Sequence, residues 1–194
     1  MTQRRRMRVI AVTSVLGLLV TLPAIVLAVG GSRVTREAHT RVERGRYLVS
    51  VIGCNDCHTP LKMGSNGPEP DRSRFLSGHP EAFRVTPPPA SQGAWLWSGA
   101  ATNTAFAGPW GVSYTANLTP DNNTGLGIWT EDMFVRAIRM GRHMGTSREI
   151  APPMPWTAFR NATDDDLKSI FAYLRTITPV VNHVPDYQPP PVAP

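Results

Sequence analysis

The sequence predicts an all-α fold with three to four short helices, a long irregular insertion and an N-terminal transmembrane helix. Two segments carry apolar residues at spacings of three and four, which is the period of an amphipathic helix. No strand-like alternation persists, and a length of 194 residues suits one domain. We divide the chain into an N-terminal segment (1–30), a polar linker (31–36), a helical domain (37–184) and a proline-rich tail (185–194).

The N-terminal segment combines a positive cluster with a long apolar run. Four arginines lie within the first eight residues, and the run from Val9 to Val29 carries no charge. A helix of that length can cross the hydrocarbon core of a bilayer. The arginines should stay in the cytoplasm, which places the residues after Gly30 on the far side of the membrane. The alternative is a cleaved signal peptide with a weak cleavage site at residues 28–30, although its apolar core is usually shorter.

The net charge of +6 comes mostly from this segment. When its four arginines are left out, 16 of the 20 Lys and Arg remain against 14 Asp and Glu. The composition therefore indicates no large basic surface in the rest of the chain, and we expect no nucleic-acid binding.

The first helix of the domain is expected over about residues 37–52. Val42, Gly45, Val49 and Ile52 share one face at helical spacing. Glycine lowers the stability of a helix, so we expect Gly45 to allow close packing against another helix.

Directly after this helix, residues 54–58 read Cys-Asn-Asp-Cys-His, the attachment pattern of a c-type haem. Cys54 and Cys57 can each form a thioether with one vinyl group of the porphyrin, and His58 can supply the proximal nitrogen. A structural zinc site needs four ligands, and the chain has two cysteines. A thioredoxin-like pair needs a βαβ context, and a disulfide across four residues is geometrically tight. One covalently bound haem c is therefore the prediction.

Residues 59–115 form the irregular insertion, in which proline, glycine and serine dominate. Such a long stretch in a compact domain is usually functional. It is also rich in aromatic residues: Trp95, Trp97, Phe106 and Trp110. Two interpretations stay open. The insertion is an ordered wrap that covers a haem edge or contacts a partner, or its rings supply hydrophobic core that a small haem domain lacks.

Two further helices follow. Thr130 can cap the first of them, which should end at Gly141. Thr163 can cap the last helix, whose first turn contains the three acidic residues Asp164–Asp166. This helix should end before Pro179.

The loop between these helices can supply a second axial ligand, for which methionine and histidine are the usual residues. Met154 lies between prolines that restrict the backbone and remove hydrogen-bond donors. Met144, His143 and an open sixth position remain alternatives. The competing explanation is structural: Met154 would fill a gap in the core and bind no iron.

These motifs together resemble a bacterial class I cytochrome c, and more narrowly the haem domains in cytochrome subunits of membrane-bound dehydrogenases. The match covers roughly Arg44 to Pro185. Besides the haem box, its motifs are Gly45-Arg46-Tyr47-Leu48, Asn117-Leu118-Thr119-Pro120-Asp121, Gly125-Leu126-Gly127-Ile128-Trp129, Pro153-Met154-Pro155-Trp156, Asp165-Asp166-Leu167 and Ala172-Tyr173-Leu174. Many of those subunits carry three such domains, whereas this chain carries one domain with a long insertion.

The resemblance implies a class I cytochrome c-like domain with Met154 as the distal ligand. It also implies that the first and last helices cross near Gly45 and Tyr173, and that Tyr114 and Trp129 line the haem pocket.

The predicted function is one-electron transfer by a monohaem cytochrome c, not catalysis. A His58–Met154 pair would leave no coordination position for a substrate. The expected location is the bacterial cytoplasmic membrane, with the haem domain on the periplasmic side, and the expected partners are redox proteins of a membrane electron-transfer complex. Two other classes stay open: a haem enzyme or gas sensor with a displaceable sixth ligand, and an accessory subunit that serves assembly.

Overall fold

The computed structural model describes residues 35–86 and 95–190. The chain divides into two compact units, residues 1–40 and 41–194. In the first unit, the described residues 35–40 are helical. The predicted membrane span from Val9 to Val29 lies outside the described residues. Among the residues that are described, no helix has the length and apolar character needed to cross a membrane.

Five α-helices occur in the described part of the chain. They are α1 (35–51), α2 (Cys54–His58), α3 (Glu131–Met140), α4 (Trp156–Phe159) and α5 (Asp164–Leu174). The three longest, α1, α3 and α5, correspond to the predicted helices, although α1 is already helical at residue 35, the first described residue, and ends at residue 51 rather than 52.

The helices α3 and α5 begin at the predicted caps. The Thr130 hydroxyl accepts a hydrogen bond from the backbone N–H of Met133 at 3.2 Å, and the Thr163 hydroxyl accepts one from Asp166 at 3.1 Å. The C-cap of α3 is Gly141, whose φ of 64° lies in the left-handed region that favours glycine. The predicted caps are confirmed. They could be predicted because capping depends on residues that are close in sequence.

The helices α1 and α5 cross at Gly45. A Cβ atom at this position would lie 1.9 Å from the carbonyl oxygen of Ser169 and 2.8 Å from the Cβ of Tyr173. Only glycine allows the two backbones to approach this closely, and the predicted crossing is confirmed. Apolar side chains from these helices, from α3 and from the loops form the core. The buried members are Val49, Leu76, Leu126, Phe134, Ile138, Leu167, Ile170, Phe171 and Leu174.

The all-α prediction is wrong, because residues 59–115 contain two antiparallel sheets, and the described residues hold five α-helices rather than the predicted three to four. In this insertion, β1 (Leu61–Gly64) pairs antiparallel with β2 (Gly67–Pro70). A second antiparallel sheet has the order β3 (Ser98–Gly99), β4 (Ala105–Gly108) and β5 (Gly111–Tyr114).

The strands of both sheets are short and are joined by tight turns, which is why the sheets were not predicted. Both hairpins have two-residue turns, at residues 65–66 and 109–110, closed by the pairs Gly64–Gly67 and Gly108–Gly111. Strands of two to four residues are too short to show a period of two. The signal lay at the turns, since an Asn-Gly dipeptide such as residues 66–67, where the first turn meets β2, is typical of a hairpin.

The aromatic residues of the insertion divide between the interior and the surface. Phe106 is 3% exposed, whereas Trp95 is 77% exposed and Trp97 is 42% exposed. The Trp97 ring meets Phe106 edge-on, with centroids 5.5 Å apart. The sheet therefore contributes Phe106 to the packed interior, while Trp95 and Trp97, which precede β3, are exposed.

Candidate haem-binding site

A cavity of about 730 Å³ lies between the helices and the three-stranded sheet, within the second unit. Its size falls within the usual range for cofactor sites, and its lining is mainly apolar. All six residues predicted for the site line this cavity. They are Cys54, Cys57, His58, Tyr114, Trp129 and Met154. The structure thus brings the whole set together, and the role of each residue stays a prediction.

The two cysteines lie on α2, which starts after a left-handed residue, Gly53, with φ of 74°. Both thiols are free. Burial raises the pKa of Cys54 to about 12, and burial together with the nearby Asp56 carboxylate raises the pKa of Cys57. A thioredoxin-like pair has a thiol with a lowered pKa, so this environment disfavours the redox interpretation. No cluster of three or more His, Cys, Asp or Glu suited to a metal occurs among the described residues.

His58 is buried, and one hydrogen bond fixes its ring. The Nδ1 atom lies 2.8 Å from the backbone carbonyl oxygen of Ala116. A carbonyl can only accept, so Nδ1–H is the donor and the Nε2 lone pair is left for a metal. Burial also lowers the pKa of His58, which favours the neutral form that coordinates metals. A carbonyl partner of this kind orients a ligating histidine and raises its basicity.

Ala116 was not identified from the sequence, because a backbone carbonyl has no residue signature. Its position depends on the next residue, Asn117, which is 4% exposed. The Asn117 side chain donates to the carbonyl of Val180 at 2.8 Å and accepts from the N–H and hydroxyl of Thr119 at 3.0 and 2.7 Å. Asn117 therefore holds the loop that presents the carbonyl to His58.

Met154 lies in the loop between α3 and α4 and packs against the core. Among the described residues, it is the one methionine that lines the cavity. Met144 lies in a 3-10 turn with a left-handed φ of 54° and is not part of the lining. The alternative ligand His143 does reach the cavity, where its ring meets Trp129 edge-on at 5.0 Å.

Tyr114 ends β5, and its hydroxyl accepts a hydrogen bond from the side-chain amide of Gln188 at 2.9 Å. Gln188 also pairs with Val112 through both backbone hydrogen bonds, at 2.8 and 2.9 Å. Residues 183–187 just before it line the cavity. Residues 185–187 belong to the segment assigned from the sequence as a proline-rich tail, and nothing in the sequence indicated that this tail contributes to the cavity wall.

The residues of the cavity fit haem c. Two thiols three positions apart, a neutral imidazole nitrogen and a thioether share one apolar cavity, which is the donor set that a covalently bound haem uses. In addition, the hydroxyl oxygen of Thr115 on the same wall is buried and has no hydrogen-bond partner among the described residues. A polar group of a bound cofactor could satisfy it.

Comparison with known proteins supports this interpretation, although no family model matches the chain. The chain is 41% identical over 80 residues to a subunit of the nicotinate dehydrogenase of Pseudomonas putida, which covers 41% of this chain and 7% of that protein. It is 29% identical over 150 residues to the fructose dehydrogenase cytochrome subunit of Gluconobacter japonicus, covering 77% of this chain and 24% of the relative.

A third relative is the cytochrome c subunit of the quinone-dependent alcohol dehydrogenase of Komagataeibacter europaeus. The identity is 35% over 149 residues, covering 76% of this chain and 24% of that relative. The chain thus spans about a quarter or less of the length of these relatives. The resemblance inferred from the motifs is confirmed: over about three quarters of its length, this chain is similar to the cytochrome c subunits of dehydrogenases.

Proposed function

We propose that the protein is a monohaem cytochrome c that transfers single electrons as a subunit or partner of a dehydrogenase complex. The observation that carries the proposal is the His58 ring, held through Nδ1 by Ala116 in a cavity that also contains Cys54, Cys57 and Met154. Bound haem would supply a one-electron couple, with a reduction potential that histidine–methionine ligation keeps high.

The chain's own residues would perform three tasks. Cys54 and Cys57 would hold the porphyrin edge covalently, which prevents loss of the cofactor. His58 and Met154 would hold the iron and leave no coordination position open for a substrate. The apolar wall of the cavity would limit access of water, which together with hydrogen bonds to the ligands tunes the potential.

The test of the haem assignment uses holoprotein produced with a haem-attachment system. We expect one haem per chain that survives denaturation, and loss of stable attachment in Cys57→Ala. Full-level covalent haem in that variant would contradict the assignment of the cysteines.

The ligand assignment has a separate test in the weak absorption band at the red end of the visible spectrum, which marks an iron–methionine bond in ferric haem c. We expect Met154→Ala to abolish the band and Met144→Ala to preserve it, since Met144 lies outside the cavity lining. Carbon monoxide binding to the untreated reduced wild type would instead favour a haem enzyme or gas sensor.

The partner and the location are also proposals. The relatives' names support a dehydrogenase complex as the electron donor. A stoichiometric complex that reduces the haem on addition of the dehydrogenase substrate would support it, whereas purification without any redox partner would oppose it.

Attachment of haem c takes place outside the bacterial cytoplasmic membrane, which supports a periplasmic position. Protease added to spheroplasts should then digest the domain, and complete protection would contradict this position.

A further inference from the structure

A buried serine of the sheet is tied to the Met154 loop. Ser113 lies on β5 and is 6% exposed. Its hydroxyl donates to the backbone carbonyl of Pro152 at 2.5 Å, across 39 positions of sequence. Pro152 lies two residues before Met154, so this bond joins the sheet to the segment that carries the predicted ligand.

This bond matters because the Met154 segment has few others. Pro152, Pro153 and Pro155 lack an N–H and cannot donate. Within the described part of the chain, the backbone of residues 151–154 takes part in two hydrogen bonds. One is local, from the N–H of Trp156 to the carbonyl of Met154 at 2.9 Å. The bond from Ser113 is the one that connects this segment to another element of the fold.

The surroundings of Ser113 direct its hydroxyl towards Pro152. The indole N–H of Trp110, which can only donate, points at the Ser113 oxygen at 3.3 Å. The hydroxyl proton can therefore go to one of two carbonyls, that of Phe106 at 3.3 Å or that of Pro152 at 2.5 Å. The shorter contact has the more favourable distance for an O–H donor. The position of β5 is itself fixed by its pairing with β4 and by the backbone pair Val112–Gln188.

We propose that Ser113 is a positioning residue for the sixth ligand, which keeps the Met154 sulfur in place by holding the loop closed. The proposal rests on the proposed function, in which Met154 occupies the sixth position. It also gives the insertion a role in ligand retention. When the bond to Pro152 is removed, the loop should open more often and the sixth position should become accessible to an added ligand.

The expected size follows from the strength of one hydrogen bond. Loss of a buried neutral hydrogen bond changes the balance between closed and open loop by roughly five- to tenfold. An external ligand binds only the open form, so its apparent dissociation constant depends inversely on the open fraction. Imidazole should therefore bind ferric Ser113→Ala holoprotein with an apparent dissociation constant roughly five- to tenfold lower than wild type.

The experiment titrates imidazole into ferric wild type, Ser113→Ala and Ser113→Thr and follows the iron–methionine band. We expect Ser113→Thr, which keeps the hydroxyl, to remain close to wild type. Ser169→Ala is the matched control, because Ser169 is equally buried and its hydroxyl donates to a backbone carbonyl, that of Asp165, at 2.6 Å. Ser169 does not line the cavity, so imidazole binding should not change.

The outcomes separate this proposal from the one it rests on. If the wild type lacks the band, Met154 is not the ligand, and the ligand assignment and the role of Ser113 both fall. If the wild type has the band and Ser113→Ala binds imidazole as the wild type does, only the role of Ser113 is overturned. An equal shift in Ser169→Ala would also overturn it, since the effect would then reflect general stability. If Ser113→Ala does not accumulate as holoprotein, Ser113→Thr and Ser113→Val are compared instead, because the two side chains have nearly the same shape and differ in the hydroxyl. Equal imidazole binding by these two variants would refute the proposal.

Discussion

Replacement of Asn117 by alanine should destabilise the domain by about 3 kcal/mol. The change removes two donated hydrogen bonds, to Val180 and Thr124, and two accepted ones, from the N–H and hydroxyl of Thr119. The Thr119 hydroxyl can turn to the Val180 carbonyl, which is already 3.4 Å away. Its N–H has no such substitute, and a stranded buried donor costs about 1–3 kcal/mol. With the donor at the lower end of this range, the two lost bonds from the amide contribute the remainder, at about 1 kcal/mol each.

The assay is equilibrium unfolding of the holoprotein in urea, followed by tryptophan fluorescence. At an m-value of about 2 kcal/mol/M, the midpoint should fall by roughly 1.5 M with the slope unchanged. Asn161→Ala is the matched control, because the Asn161 side chain is exposed and makes one long hydrogen bond, to the Thr157 carbonyl at 3.3 Å. Its effect should stay within about 0.5 kcal/mol. Equal midpoints for the two variants would refute the role of Asn117 in holding this loop.

The same variant tests the coupling between the loop and the histidine. Asn117 adjoins Ala116, whose carbonyl accepts the Nδ1–H of His58. A looser loop weakens that bond and makes the imidazole a less basic ligand. A less basic ligand stabilises the ferric form less, so the reduction potential of Asn117→Ala should rise above the wild-type value. A lower potential in the variant would contradict this coupling, whatever its stability.

Three further variants test other parts of the fold. Gly45→Ala should lower the unfolding free energy by about 1–3 kcal/mol in thermal melts, because its Cβ would meet the Ser169 carbonyl oxygen at 1.9 Å. A variant as stable as wild type would contradict the close crossing. Burial lowers the pKa of His79, so stability present above the usual pKa of about 6.5 is lost as pH falls towards the lower folded value. The loss between pH values of about 7 and 5 should be smaller in His79→Gln, and an unchanged loss would exclude this histidine as a cause. Gly111→Ala should increase amide exchange at Gln188, because its Cβ would lie 2.1 Å from the Gln188 carbonyl oxygen. Gly67→Ala, with a similar positive φ and open space, should leave that exchange unchanged.

Apart from the crossing at Gly45, the parts of the fold that were predicted correctly have local causes. The caps Thr130 and Thr163 act within three residues, and Cys54, Cys57 and His58 form a chemical unit of five. Their structure can therefore be read from a short window. The strands of the insertion have only two to four residues, so no periodicity could reveal them.

The supporting contacts of the site could not be predicted in this way. The bond from His58 to Ala116 spans 58 positions, and the bond from Ser113 to Pro152 spans 39. Both acceptors are backbone carbonyls, which every residue has. No residue type marks such a contact, and only the three-dimensional course of the chain creates it.

The five residues that end β5 and continue it show why the insertion belongs to the site. Val112 pairs with Gln188, Ser113 bonds to Pro152, and the Tyr114 hydroxyl accepts from Gln188. Residues 115 and 116 continue the cavity wall, and the second of them supplies the carbonyl for His58. Consecutive residues of one short segment thus hold the C-terminal segment, the Met154 loop and the histidine. Because consecutive residues of a strand have a fixed spacing, a shift of β5 would move the C-terminal segment, the Met154 loop and His58 together. The interpretation of the insertion as an ordered wrap therefore gains support, because its last residues form part of the cavity wall and hold the segments around it.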